Sequence, residues 1–139
     1  MANEVKLEVL VHLQGIGDSL FGADVFAGTR GQSRRLEGFQ VTIVPPVNGL
    51  TMLYMAHLQD LGDTPWVGEG QFAGTRGQSR RLEGFAIRLS GPSADQYNIL
   101  YMAHLEGFGD TQYYWDGAFC GTRGQSRRVE GIKVRIDHR

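Results

Sequence analysis

The chain repeats itself three times, and this constrains its fold more than any other feature. The block Phe-Ala-Gly-Thr-Arg-Gly-Gln-Ser-Arg-Arg-Leu-Glu-Gly-Phe runs from Phe26 to Phe39 and returns unchanged from Phe72 to Phe85. It returns again from Phe119 to Ile132, with Cys120, Val129 and Ile132 as the only changes. A shorter block precedes each one: His12-Leu-Gln-Gly-Ile-Gly-Asp18, His57-Leu-Gln-Asp-Leu-Gly-Asp63 and His104-Leu-Glu-Gly-Phe-Gly-Asp110. The histidines lie 45 and 47 residues apart, so the copies run roughly over 5–44, 50–90 and 97–137. The links Pro45-Pro46-Val47-Asn48-Gly49 and Gly91-Pro92-Ser93-Ala94-Asp95 read as turns. They are too short to separate domains, so residues 1–139 form one domain in which the copies pack on one another.

Each copy carries two clear strand patterns. The first covers Leu7–Gln14, Met52–Gln59 and Ile99–Glu106, with apolar residues alternating as Leu7, Val9, Val11, Leu13 and their counterparts. The second begins at the Arg-Leu-Glu run and puts Phe39, Val41, Ile43, then Phe85, Ile87, Leu89, then Ile132, Val134, Ile136 on one face. A short Gly-rich strand is expected between them, near Val25–Ala27, Gly70–Ala73 and Gly117–Cys120. No segment has a helical apolar period. The fold class is therefore all-β with pseudo-threefold symmetry. A β-prism of three sheets is preferred, because a whole apolar strand face can pack inward; a β-trefoil is the alternative.

Composition narrows the function. With 41% hydrophobic and 21% charged residues the chain is ordinary globular protein, and its net charge of -1 gives no basic field for nucleic acid. No apolar run is long enough to span a membrane as a helix. The start, Met-Ala-Asn-Glu-Val-Lys, lacks the pattern of a signal peptide, which predicts cytoplasmic synthesis or export by another route. Cys120, the single cysteine, stands where the other copies have Ala27 and Ala73, and reads as a small packing residue. No nucleophile elbow, phosphate loop or metal-ligand spacing is present, so no enzyme, cofactor or metal is expected. His12, His57 and His104 would make a metal site only by converging on the symmetry axis.

The polar loop from Gly28 to Arg35, with its copies at 74–81 and 121–128, admits two readings. Its glycines serve turn geometry, or its Arg and Gln donors hold a ligand. Glu37, Glu83 and Glu130 share strand parity with the inner face and require a partner, and Arg35, Arg81 and Arg128 supply one. That leaves Arg30, Gln32, Arg34, then Arg76, Gln78, Arg80, then Arg123, Gln125, Arg127 available to a ligand. Asp18, Asp63 and Asp110 read either as turn carboxylates or as acceptors for sugar hydroxyls. Phe21, Trp66 and Tyr113, three residues beyond each Asp, would supply an aromatic wall or simply fill the core.

The order His-Leu-Gln-x-Ile-Gly, then Gly-Thr-x-Gly-Gln-Ser-x-Arg-Leu-Glu, then an alternating strand, resembles the clostridial hydrophobic repeat with conserved tryptophan, the ChW repeat. The resemblance covers all three copies. At the position of the family's signature Trp this chain has Asp18, Asp63 and Asp110. The resemblance implies a bacterial module that binds carbohydrate or another surface ligand.

The expected function is a lectin-like protein with one glycan site per copy. Each site would be built from the Asp, the Arg and Gln of the same copy's loop, and a nearby aromatic. Three weak sites on one rigid body gain strength on a multivalent surface. The first copy, without Trp or Tyr in its wall, should be the weakest. Glycans or glycoconjugates are the expected partners, with self-association left open. The alternative is a structural or adhesion module that binds a protein on a bacterial surface; a third reading is a substrate-binding module of an enzyme.

Overall fold

The computed structural model describes residues 4–139; the first three residues, which enter the argument from the chain's start, lie outside the described residues. The fold is all-β, with three separate sheets, one centred on each copy, around a shared core. This is the three-sheet β-prism arrangement expected from the repeat. The only helical element among the described residues is a short 3-10 turn, Ala94–Gln96, in the second link.

Two long antiparallel strands form the centre of each sheet: Leu7–Leu13 with Leu36–Ile43, Thr51–Leu58 with Leu82–Ser90, and Tyr97–Leu105 with Val129–His138. Their apolar faces meet in one cluster containing residues of all three copies. At its middle the Phe39 and Phe85 rings lie 5.4 Å apart, with Tyr54 at 5.0 Å from Phe39 and Tyr101 at 5.3 Å from Phe85. Both tyrosines are fully buried, and each satisfies its hydroxyl by donating to a main-chain carbonyl, Gln71 for Tyr54 and Ala118 for Tyr101. Burial pushes the Tyr101 phenol up to about 12.

The first long strand ends at Leu13, Leu58 or Leu105, before the aspartate. The chain turns back and pairs with it, so that His12 faces Asp18, His57 faces Asp63 and His104 faces Asp110. In the first copy this return is one strand, Gly17–Gly22. In the others an extra residue after the Asp splits it into Gly62–Asp63 with Val67–Gly68, and Gly109–Asp110 with Tyr114–Trp115.

The second long strand has a β-bulge at the same place in every copy. His12 pairs with Gly38 but Leu13 with Leu36, leaving Glu37 as the extra residue; Glu83 and Glu130 are extra in the same way. The bulge keeps both Leu36 and Phe39 in the core and turns Glu37 toward His12, with His12 Nε2 3.6 Å from Glu37 Oε1. Glu37, Glu83 and Glu130 are buried, and Arg35, Arg81 and Arg128 donate Nε to them at 2.8, 2.7 and 2.7 Å. The expected structural Arg/Glu pairs therefore exist, though a bulge rather than simple alternation sets them up.

The short Gly-rich strands are present at Ala27–Gly28, Ala73–Gly74 and Cys120–Gly121, but none pairs within its own copy. Ala27–Gly28 pairs with the third copy, Ala73–Gly74 with the first and Cys120–Gly121 with the second. The chain thus closes into a ring, and Glu4–Val5 adds to it by pairing with Ile136 and Asp137. The glycines of the repeated block are explained at this crossing. Gly28 has φ +137, and a Cβ there would meet the Glu130 carbonyl oxygen at 2.3 Å. Opposite it, a Cβ on Gly131 would meet the Phe26 ring at 2.1 Å; Phe72 lies on Gly38 and Phe119 on Gly84 in the same way. Two backbones touch here, and a phenylalanine ring covers the contact.

This contact predicts a clean contrast between glycines. Gly38→Ala should cost about 1–3 kcal/mol, because the new methyl overlaps Phe72 and the Ala73 carbonyl. Gly68→Ala, which meets no atom within 4 Å, should stay within about 0.5 kcal/mol of the parent. Urea denaturation measures both, and equal losses would contradict the packing described.

Candidate functional site

The same exchange decides where the expected ligand residues go. Arg76 of the second copy reaches Asp18 of the first, donating Nε to Oδ1 and Nη2 to Oδ2, each at 3.0 Å. Arg123 grips Asp63 at 3.1 and 2.9 Å, and Arg30 grips Asp110 at 3.1 and 2.9 Å. The expected grouping of Asp and Arg from one copy is therefore corrected: every such pair joins two copies. Each Asp also holds its facing histidine, with Nδ1 to Oδ1 at 2.7 Å. An ionised carboxylate only accepts, so the imidazole proton sits on Nδ1. Each arginine in turn lies over the phenylalanine just before its own short strand, with Cζ 3.7 Å from the ring centre.

Asp18, Asp63, Asp110, Arg30, Arg76 and Arg123 are thus committed to one another as inter-copy staples. Each of His12, His57 and His104 is held within its own sheet, and among the described residues no group of three or more metal-ligating side chains forms. Arg34, Arg80 and Arg127 are not free either. Each donates Nη1 to a hairpin carbonyl of its own copy: Gln14 at 2.9 Å, Gln59 at 3.2 Å and Glu106 at 2.9 Å. Gln32, Gln78 and Gln125 remain exposed in a tight loop whose flanking Gly and Ser have positive φ, as at Gly31 and Ser33.

The aromatic wall divides. By strand register the partner of Val9 is Phe21, that of Tyr54 is Val67 and that of Tyr101 is Tyr114. Counting three residues from the Asp lands one short in the second and third copies, because of the extra residue there. Trp66 instead lies against Arg88, with Cζ 4.9 Å from its ring, and Tyr113 against Arg135 at 5.3 Å.

Two kinds of groove lie beside the hairpins. The first lies between the hairpin and the loop of its own copy. In the third copy it has a volume of about 430 Å³ and walls of Phe108, Thr111, Tyr114, Thr122, Gln125 and Arg127. Phe108 is 65% exposed at the hairpin tip, where the other copies have Ile16 and Leu61, also exposed. The Thr122 hydroxyl is buried without a hydrogen-bond partner, as are those of Thr29 and Thr75 at the matching places. The second kind lies between the hairpin and the loop of the following copy. One such groove of about 380 Å³ is lined by His12, Gln14, Arg35, Glu37, Gly77 and Ser79; its equivalent, also about 380 Å³, is lined by His57, Gln59, Arg81, Glu83, Gly124 and Ser126. Sequence reasoning missed Phe108, Tyr114 and the threonines as site residues. The exposed apolar residue before the Gly-Asp pair of each hairpin was their one visible signal.

The staples carry a pH signature. The Arg76 guanidinium, followed by His12, holds the Asp18 carboxyl below its ordinary value of 3.8; Arg123 does the same for Asp63 and Arg30 for Asp110, each with its histidine as a smaller cause. Carboxyls made more acidic by folding contribute stability above their unfolded pKa and lose it as pH falls through the folded value. The urea midpoint should therefore drop between about pH 5 and pH 2, and less steeply in the triple variant Asp18→Asn, Asp63→Asn, Asp110→Asn. A variant as steep as the parent would contradict the assignment.

A family model described as Clostridial hydrophobic W matches residues 12–45, 57–91 and 104–137. No curated protein and no solved structure matches the chain. Each matched stretch begins at the histidine of a copy and ends near the close of its second long strand, so the matched unit is the sequence repeat itself. With three matches covering most of its length, the chain belongs to the Clostridial hydrophobic W (ChW) family.

Proposed function

We propose that this protein binds carbohydrate through the groove between each hairpin and the loop of its own copy. The observation that carries the reading is the third-copy groove, where Phe108 and Tyr114 flank a polar strip of Thr122, Gln125 and Arg127. Aromatic side chains suit the C–H face of a sugar ring, while a hydroxyl, an amide and a guanidinium suit its oxygens. The Thr122 hydroxyl adds unmet bonding capacity beneath the groove. The polar strip recurs as Thr29, Gln32, Arg34 and Thr75, Gln78, Arg80. The aromatic pair does not: the first copy has Ile16 with Phe21 and the second has Leu61 with Val67. Under this reading one polar frame is used three times with unequal apolar walls. The third site is the strongest and the second the weakest, which revises the ranking expected from sequence. Under this reading the role is recognition strengthened by multivalency.

A glycan array identifies a binding sugar, and titration calorimetry then measures it. Phe108→Ala should weaken binding about tenfold, the loss of one stacking contact, with an unchanged urea midpoint because Phe108 is exposed. Leu61→Phe together with Val67→Tyr should strengthen the second site. A silent array with folded protein would reject glycan binding and favour the adhesion reading, in which the exposed tips Ile16, Leu61 and Phe108 touch a protein surface.

A further inference from the structure

Around the second kind of groove, between one copy's hairpin and the next copy's loop, the copies differ at three hairpin positions: Gln14, Gln59 and Glu106, then Gly15, Asp60 and Gly107, then the tips Ile16, Leu61 and Phe108. In the first and second copies Gln14 and Gln59 stand at the end of the first long strand, where their Oε1 atoms accept from the main-chain N–H of Arg35 and Arg81 at 3.5 Å. The guanidinium of Arg35 uses Nε for Glu37, and that of Arg81 uses Nε for Glu83. Their Nη groups have no hydrogen-bond partner among the described residues, and both side chains line the open grooves. In the third copy the same position is Glu106. Its Oε2 lies 2.9 Å from Arg128 Nη1, while Arg128 Nε still serves Glu130 at 2.7 Å. The third copy therefore demonstrates, with the chain's own side chain, that this arginine accommodates a second carboxylate beside its buried one.

We infer that the first and second interfacial grooves are binding sites for a ligand carboxylate, held by the Nη groups of Arg35 and Arg81, and that Glu106 occupies the equivalent place in the third. The nearby charges are consistent with this. The carboxylate of Glu37 is neutralised by Arg35, Asp18 by Arg76, and the same pairings repeat at Glu83 and Asp63. Ser79 and Ser126, on the facing loops, add hydroxyl donors at the opposite wall. A guanidinium edge prefers the planar, two-oxygen geometry of a carboxylate over a neutral hydroxyl. Asp60 lies in the second groove where the first has Gly15, so the second holds an anion less tightly. The inference does not depend on the glycan groove: Ile16 borders both in the first copy, but Arg35 and Arg81 belong to the interfacial grooves alone.

The test is a site-resolved NMR titration of the whole chain that follows the Arg Nε–H signals. D-Glucuronate should shift Arg35 and Arg81 and leave Arg128 unmoved, while methyl glucoside, which lacks the carboxylate, should bind about tenfold more weakly or not at all. Glu106→Gln should make Arg128 respond like the others, and Gln14→Glu should silence Arg35. Both substitutions copy what another repeat already carries, so both variants should fold. N-acetylglutamyl amide tests whether a peptide carboxylate serves as well as a sugar one. Equal shifts from both place the recognition in the carboxylate alone; a response to glucuronate only assigns the site to acidic sugars. Failure of Arg35 and Arg81 to respond to either acid, or an Arg128 response unchanged by Glu106→Gln, overturns the inference. Neither result bears on the effect of Phe108→Ala.

Discussion

The exchange of one short segment between neighbouring copies holds this molecule together. Each Phe-Ala-Gly-Thr-Arg stretch leaves its own copy and lays its Ala-Gly pair on the preceding copy's long strand. The following Thr N–H then donates to the carbonyl of the bulged Glu: Thr29 to Glu130, Thr75 to Glu37 and Thr122 to Glu83. Two glycines allow the backbones to touch, a phenylalanine ring covers them, and an arginine on that ring reaches the neighbour's aspartate. The repeated block is thus mostly an interlock. Its exposed ion pairs contribute little individually, since solvent screens them. The desolvated backbone pairing and the ring-on-glycine contact contribute more, and the ion pairs specify which segment goes where.

The interlock also creates the grooves. Because each hairpin stands between its own loop and the next copy's loop, the hairpins border concave flanks of two different chemistries. The flank facing its own loop is amphipathic, with apolar tips over a Thr–Gln–Arg strip. The flank facing the neighbour is polar and contains a buried Glu, its Arg and a His. Recognition sites at such boundaries use rigid strands as support, which limits the ordering cost of binding. The family's signature tryptophan position, here Asp18, Asp63 and Asp110, serves the interlock in this chain. The exposed apolar residues of the hairpins are the neighbouring tips Ile16, Leu61 and Phe108.

The repeat, the long strands, the inner faces and the Arg/Glu pairing were legible in the sequence, because alternation and self-similarity follow from strand geometry. The exchange was not. When three copies carry the same loop, an Arg from one copy is indistinguishable in sequence from the Arg of another, so Arg30 looked like a neighbour of Asp18 when Arg76 is. The bulge at Glu37 was hidden because one extra residue reverses strand parity without changing composition. The aromatic wall was misaligned by the single residue inserted after Asp63 and Asp110. Arg34 looked free because its partner is a main-chain carbonyl, which no side-chain pattern reveals.

The claim that copies interlock in a ring is tested most directly by charge reversal. Asp18→Arg should lower the urea midpoint by facing Arg76 with a like charge, and adding Arg76→Asp should restore much of the loss. Adding Arg30→Asp instead, the arginine of the same copy, should restore nothing and deepen the loss by freeing Asp110. Rescue by Arg30→Asp and not by Arg76→Asp would show that each copy closes on itself, and would contradict the account.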